Sequence, residues 1–403
     1  MDTALSHIRV LDLSRILAGP WASQMLADFG AEVIKVERPI SGDDTRSWGP
    51  PFATGDSGEH CDAAYFHSAN RGKQSIAIDI TTAEGQQLIH QLAAKADVLI
   101  ENYKVDGLKK YGLDYPSLKK TNPSLIYCSV TGFGQDGPYK QRAGYDFMIQ
   151  AMGGLMSMTG ESDGQPMKVG VALADVMTGL YATNAIQAAL LYRDQTGIGQ
   201  HIDLALLDVQ VATLANQAMN YLIGDKVPAR LGNAHPNIVP YEAFKTADGH
   251  IILAVGNDAQ FARFCQLADA PELSEMPAFN TNQQRVINRK DLIPLIQQLM
   301  IKQPSDWWLR ELNNKGVPCG PINTLDQVFD DPQVQHRQMV VELDHPNAGK
   351  VPSVANPVKF SETPVQYGAA SPELGQHTDE VLQQLLNLSA EQIEQLKQQS
   401  VVA

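Results

Sequence analysis

The first two hundred residues alternate between short apolar runs and amphipathic stretches, and that alternation limits the chain to very few folds. Val10–Leu13 reads as a buried strand, Pro20–Phe29 as a helix, and Val33–Val36 as the next strand. Leu17, Trp21, Met25 and Phe29 recur four apart, which places them on one helix face, and Pro20 suits a first helical turn. Helix Ala83–Ala94 leads into strand Asp97–Ile100, and Ser124–Val130 makes another. A long helix is expected over Val176–Arg193, closed by Gly197-Ile198-Gly199 and followed by strand His201–Leu206. Strand-helix-strand units with such short links require a parallel sheet covered on both faces, so the fold class is α/β.

Beyond Gly224 the texture changes. Tyr241–Val255 reads as a hairpin around Asp248-Gly249, with helices near Ala259–Leu267, Asn288–Ile301 and Ser305–Asn314. The expected organisation is a large domain over 1–222, completed by 327–403, and a smaller α+β domain over 223–326. The length of 403 residues fits two domains. The tail from Thr378 is amphipathic, and Ser389 with Gln392 fits a capping box.

Charge and motif content remove whole classes of function. With 31 Lys+Arg against 45 Asp+Glu the net charge is −14, so nucleic acid is not an expected partner. No apolar run is long enough to span a bilayer, and the first residues lack a secretion-signal pattern, so neither a membrane nor export is expected and the cytoplasm is the expected location. The four cysteines are scattered without a C-x-x-C pair, and the ten histidines never fall at H-x-x-x-H spacing, so no metal site is expected. The turn after the first strand, Ser14-Arg-Ile-Leu-Ala-Gly-Pro20, contains no G-x-G-x-x-G, which argues against a dinucleotide. There is no Walker A sequence and no G-x-S-x-G elbow. Residue chemistry alone leads to an α/β enzyme and stops there.

Nine stretches, in order along nearly the whole chain, resemble the class III CoA-transferase family, which also contains 2-methylacyl-CoA racemases and carnitine CoA-transferases. They are Val10-Leu-Asp-Leu-Ser-Arg-Ile-Leu-Ala-Gly-Pro20; Gly30-Ala-Glu-Val-Ile-Lys-Val-Glu-Arg-Pro39 with Gly42-Asp43 and Arg46; Ala96-Asp-Val-Leu-Ile-Glu-Asn102; and Ser129–Gly137. The others are Gly144-Tyr-Asp146, Ala174-Asp175 with Gly179, Thr196-Gly-Ile-Gly-Gln-His201, Gly316-Val-Pro-Cys-Gly-Pro321 and Gly375-Gln-His-Thr378. The resemblance implies a Rossmann-like large domain with a small domain, in a homodimer whose chains thread through one another. It implies CoA as co-substrate, with no tightly bound cofactor.

The resemblance marks Asp175 as the nucleophile. Read bare, an aspartate directly before a helix is an N-cap. The two readings are compatible, because a helix N-terminus favours an ionised carboxylate by ~0.3–1 kcal/mol. CoA contacts map by resemblance onto Leu17, Arg38, Arg71, Lys73, Asn102, Tyr103, Lys109, Arg142 and Tyr145. The racemase branch carries Gly-His-Asp where this chain has Gly144-Tyr145-Asp146. A tyrosine, titrating near ~10, is a poor proton shuttle at neutral pH, so transfer is favoured over racemisation. The stretch Leu231–Tyr241 lacks the glycine run of formyl-CoA:oxalate enzymes and, with Leu253–Asn257 and Val317–Asn323, looks more like succinyl-CoA:glutarate CoA-transferases. The expected reaction moves CoA from a donor such as succinyl-CoA to a short carboxylic acid, a dicarboxylate such as glutarate. Arg46, Asn233 and His235 are candidates for holding the acid. The other readings are a 2-methylacyl-CoA racemase, a formyl-CoA:oxalate CoA-transferase and a CoA-binding protein without catalysis.

Overall fold

The computed structural model describes residues 3–55, 58 and 60–403. Contacts divide the chain into two compact units, one of Met1–Gly153, Gly170–Thr213 and Pro332–Ala403, the other of Gly154–Val169 and Leu214–Asp331. The breaks thus fall at 213/214 and 331/332 where the sequence reading put 222/223 and 326/327, and 154–169 joins the second unit. That excursion directly follows the helix Asp146–Met152.

In the first unit, β1 (Arg9–Asp12), α1 (Ala18–Asp28), β2 (Glu32–Glu37), β3 (Gln74–Ala77), α2 (Ala83–Ala93), β4 (Val98–Glu101) and β5 (Ile126–Thr131) follow one another. Next come α3 (Asp146–Met152), the 24-residue α4 (Leu173–Thr196) and β6 (His201–Ala205). The six strands form one sheet in the order β3-β2-β1-β4-β5-β6. Every pairing is parallel; for example Val10 lies opposite Val33 on one side and Val98 on the other. This is the Rossmann strand order, and the chain changes direction across the sheet between β1 and β4. The fold is therefore α/β, as expected.

Side chains alternate across the sheet, and each set is buried. Leu11, Ile34, Leu99 and Tyr127 face Leu88, Ile89 and Leu92 of α2, with Val381, Leu382 and Ile393 from the end of the chain. Val10, Val33, Val98, Ile126 and Cys128 face Ala18, Ala22 and Leu26 of α1 and Ala182 and Ile186 of α4. The row Ala18–Ala22–Leu26 thus meets the sheet, whereas Trp21 and Met25, expected on one helix face, are half-buried against α4. The buried stripe of α4 is built from small residues such as Ala174, Thr178, Gly179 and Ala182. A Cβ on Gly179 would lie 2.9 Å from the Ala18 carbonyl oxygen and 3.0 Å from Trp21 Cβ, so only glycine permits this approach.

The second unit contains α5 (Ala215–Gly224), the hairpin β7 (Tyr241–Lys245) and β8 (His250–Ala254), and helices α6 (Asp258–Leu267), α7 (Arg289–Met300) and α8 (Ser305–Asn314). Strand β9 (Cys319–Pro321) completes a three-stranded antiparallel sheet around a separate apolar core. Chain segment 332–403 returns to the first unit with hairpin β10 (Val340–His345) and β11 (Gly349–Val354). Helices α9 (Thr378–Leu386) and α10 (Ala390–Gln398) follow, and the expected capping box of Ser389 and Gln392 is formed. No helix among the described residues is long and apolar enough to cross a membrane.

Candidate active site

Ligands of open α/β sheets bind beyond the carboxyl ends of the strands, where the strand order reverses. At that place the first unit has a cavity of about 1210 Å³. Its walls come from Arg15–Ala18 after β1, Arg38 after β2, Asn102 and Tyr103 after β4, Gly132 after β5, and Ala143–Tyr145 and Asp175. Of the residues singled out in the sequence, Leu17, Arg38, Asn102, Tyr103, Arg142, Tyr145 and Asp175 meet here.

The turn after β1 is held from three directions. The Asn102 side chain accepts the Arg15 N–H at 3.0 Å and donates to the Arg15 carbonyl at 2.7 Å. Asp43 accepts the Ile16 N–H at 3.3 Å, while the fully buried Lys35 ammonium donates to Asp43 and to the Ser14 carbonyl, both at 2.9 Å. Ile16 has φ +73°, a strained backbone for a β-branched residue, and these contacts over-determine it. Asn102 therefore shapes the cavity wall with its whole amide.

Three expected cations stand elsewhere. Arg71 forms a buried fork with Asp28 at 2.9 and 2.6 Å and donates to the Val354 carbonyl at 2.9 Å. Lys73 is fully buried among Asp12, the Pro20 carbonyl and Asn70, and burial pushes its ammonium down to about 8 despite Asp12. Arg46 is engaged by Glu37 at 2.8 and 2.6 Å, pairs with Asp62 and lies over the Phe66 ring. Each is held by a buried carboxylate, and none of the three lines the cavity. Lys109 points into a neighbouring cavity of about 380 Å³ with Glu101, Ser129 and His201; Lys110 lines the larger one instead. Asn233 and His235 belong to the second unit, where Asn233 is exposed and His235 Nδ1 accepts the Asn237 N–H at 3.1 Å.

The sequence reading missed Arg15, Lys104, Lys140 and Lys397, which also line the large cavity. Arg15 lies within the stretch Val10–Pro20 without being singled out, whereas Lys104, Lys140 and Lys397 fall in no motif, each arriving from a different loop or helix. Trp48 is another wall residue, and Tyr65 meets its ring edge-on at 5.3 Å. Burial raises the Tyr65 phenol, and the charges of Asp175, Asp146 and Asp43 raise it further.

Asp175 is not before the helix but inside its first turn, because α4 begins at Leu173. Its carboxyl is pushed up to about 7, first by burial and then by the charge of Asp146. Gly144 makes this neighbourhood possible. A Cβ there would lie 2.5 Å from the Gly132 Cα, so two glycines let the loop after β5 close on itself, bringing Tyr145 to the cavity and Asp146 to the start of α4. A carboxylate opening into a large, cation-rimmed cavity suits covalent transfer from a polyanionic ester.

Residues 5–378 match CoA-transferase family III. The chain belongs to that family. It is 54% identical over 381 residues to a succinate–glutarate CoA-transferase of Agrobacterium fabrum, covering 94% of this chain and 95% of the other. It is 46% identical over 398 residues to the human succinyl-CoA:glutarate CoA-transferase, covering 99% and 90%. The crystal structure of a CaiB/BaiF family protein from Brucella suis superposes with a TM-score of 0.84 at 52% identity, covering 96% of this chain and all of that one. As a family III member this protein is an enzyme of CoA transfer, with CoA as its co-substrate.

Proposed function

We propose that the protein transfers CoA from succinyl-CoA to glutarate, with Asp175 as the nucleophile. The Asp175 carboxyl in the wall of the CoA-sized cavity carries this reading. The relatives named for this donor and acceptor, matched nearly end to end, support the choice of acids. An Asp175 oxygen attacks the succinyl thioester carbonyl, the C–S bond breaks, and CoA leaves as thiolate, giving an aspartyl-succinyl anhydride. The thiolate attacks the Asp175 carbonyl and releases succinate, leaving an aspartyl-CoA thioester. Glutarate attacks that thioester and expels the thiolate, which returns to the glutaryl carbonyl, forming glutaryl-CoA and restoring the Asp175 carboxylate. The thioester is conserved, so the exchange consumes neither ATP nor water.

Arg38 and Arg142 are assigned to the CoA phosphates, Leu17 and Tyr103 to its apolar and adenine parts, and Tyr145 to packing against the ester. Arg38 supports this by its exposure in the cavity wall, and Arg142 by its stacking at 4.6 Å over Tyr139, which holds the guanidinium in place. Two chains are assigned to an interlocked dimer. Leu191 (65% exposed) and Tyr192 on α4, and separately Leu222 and Ile223 (80%) on α5, are apolar side chains that a partner would cover. Light scattering at twice 44.0 kDa checks that assignment. The scattered free cysteines support a cytoplasmic location.

The test is acyl exchange followed by mass spectrometry in deuterated water, with succinyl-CoA and glutarate. Unlabelled glutaryl-CoA is the expected product, and Asp175→Ala should abolish it while CoA binding persists. Turnover by Asp175→Ala sinks the mechanism; deuterium beside the thioester of a branched ester moves the case to a racemase.

A further inference from the structure

Helix α4 starts without a side-chain cap of its own, since Ala172 at its boundary has no oxygen to offer. The cap arrives from α3. Asp146 Oδ1 accepts the Ala174 N–H at 2.8 Å and the Asp175 N–H at 3.4 Å. Its Oδ2 accepts from the amide of Gln150, fully buried, at 2.7 Å. Both carboxylate oxygens are thus fixed, and Gly144, two residues earlier, sits against Gly132 with no room for a side chain.

An uncovered helix end acidifies a nearby carboxylate. Here the two N–H groups nearest Asp175 are already engaged by an anion. We infer that Asp146 is a positioning residue of CoA transfer: by capping α4 with a negative charge it fixes the Asp175 backbone and replaces the helix end's positive pole with a like charge. The inference rests on the reading of Asp175 as nucleophile. The rise of Asp175 to about 7 agrees with it, with burial the larger cause and Asp146 the second. The ionisable groups coupled to Asp175 are Asp146 from α3, which touches its backbone, and Tyr65 from the segment 64–67, whose phenol the Asp175 charge raises. Lys140 and Arg142 line the cavity, but neither forms an ion pair with Asp175 among the described residues. A more basic carboxylate is a better nucleophile, so long as the pH keeps it ionised. The sign follows: transfer should rise with pH through about 7, because below that value Asp175 holds a proton.

Two substitutions separate charge from geometry. Asp146→Asn keeps an oxygen that can accept the same N–H groups and removes the charge; Asp146→Ala removes both. The readout is the pH dependence of succinate release in the first half-reaction, by rapid quench, on each full-length protein, with circular dichroism as the folding control. In Asp146→Asn the midpoint should move down by about one pH unit or more. Asp146→Ala should lose at least about tenfold in rate at saturating succinyl-CoA, with a little-changed KM, as expected for a misplaced nucleophile. An unchanged midpoint in Asp146→Asn overturns the inference, including the case where both variants merely melt earlier. Failure of the wild-type protein to release succinate, or continued release by Asp175→Ala, overturns the nucleophile reading instead.

Discussion

A cation's position in the fold decides whether it serves a ligand, and residue type alone does not reveal it. Arg38 follows β2 and Arg71 precedes β3, yet Arg38 is exposed in the cavity wall while Arg71 is locked to Asp28. Opposite phenotypes are expected. Arg38→Ala should raise KM for succinyl-CoA about tenfold, the value of one charge-assisted hydrogen bond, and leave the melting transition in place. Arg71→Ala strands the Asp28 carboxylate inside the protein and should cost about 3–5 kcal/mol of stability, read by denaturant unfolding, with KM unchanged in the folded fraction. Reversal of the two phenotypes would mean that the cavity has been assigned to the wrong cations. Sequence resemblance placed both on the CoA; only the partner Asp28, 43 positions away, distinguishes them.

At the scale of elements, strands flanked by amphipathic helices were legible because local periodicity determines them. β1, β2, β4, β5 and β6 all lie within a few residues of where apolar runs placed them. β3 was not read, for a physical reason: Gln74-Ser75-Ile76-Ala77 is short and half polar, and its place depends on pairing with β2 and on contacts made by Ser75 with Glu37 and with Gly375. The start of α4 was misjudged for a similar reason, since its cap is Asp146, distant in sequence. Part of the cavity's wall was legible through the family's motifs, whereas the Asn102 clamp and the cations from scattered loops needed the fold. The approach of α4 to Ala18 and Trp21 of α1 requires a glycine at 179. Gly179→Ala drives a methyl group against backbone and should cost about 1–3 kcal/mol. Its effect on the rate should be larger than that of an equally destabilising change in α2, because α4 carries Asp175; rapid-quench rates at matched folded fraction check this.

At the scale of the whole molecule, the end of the chain serves two purposes at once. Ile393, Val401 and Val402 complete the apolar layer over one face of the sheet, and the Val401 and Ala403 backbones bond to Asp79 at 2.8 Å and Ala77 at 3.2 Å. Lys397, Ser400, Val402 and Ala403 also line the large cavity. A ligand held by the native cavity and not by the frayed one must stabilise that docking, by an amount that grows with the logarithm of its concentration over Kd. Amide hydrogen exchange in 390–403 should therefore slow when a CoA ester binds, even in the catalytically dead Asp175→Ala protein, and stay unchanged with glutarate alone. Equal exchange with and without ester would separate the tail from the site. Where it slows, a structural seal doubles as a built-in occupancy gauge, by which candidate thioesters can be ranked without waiting for a turnover.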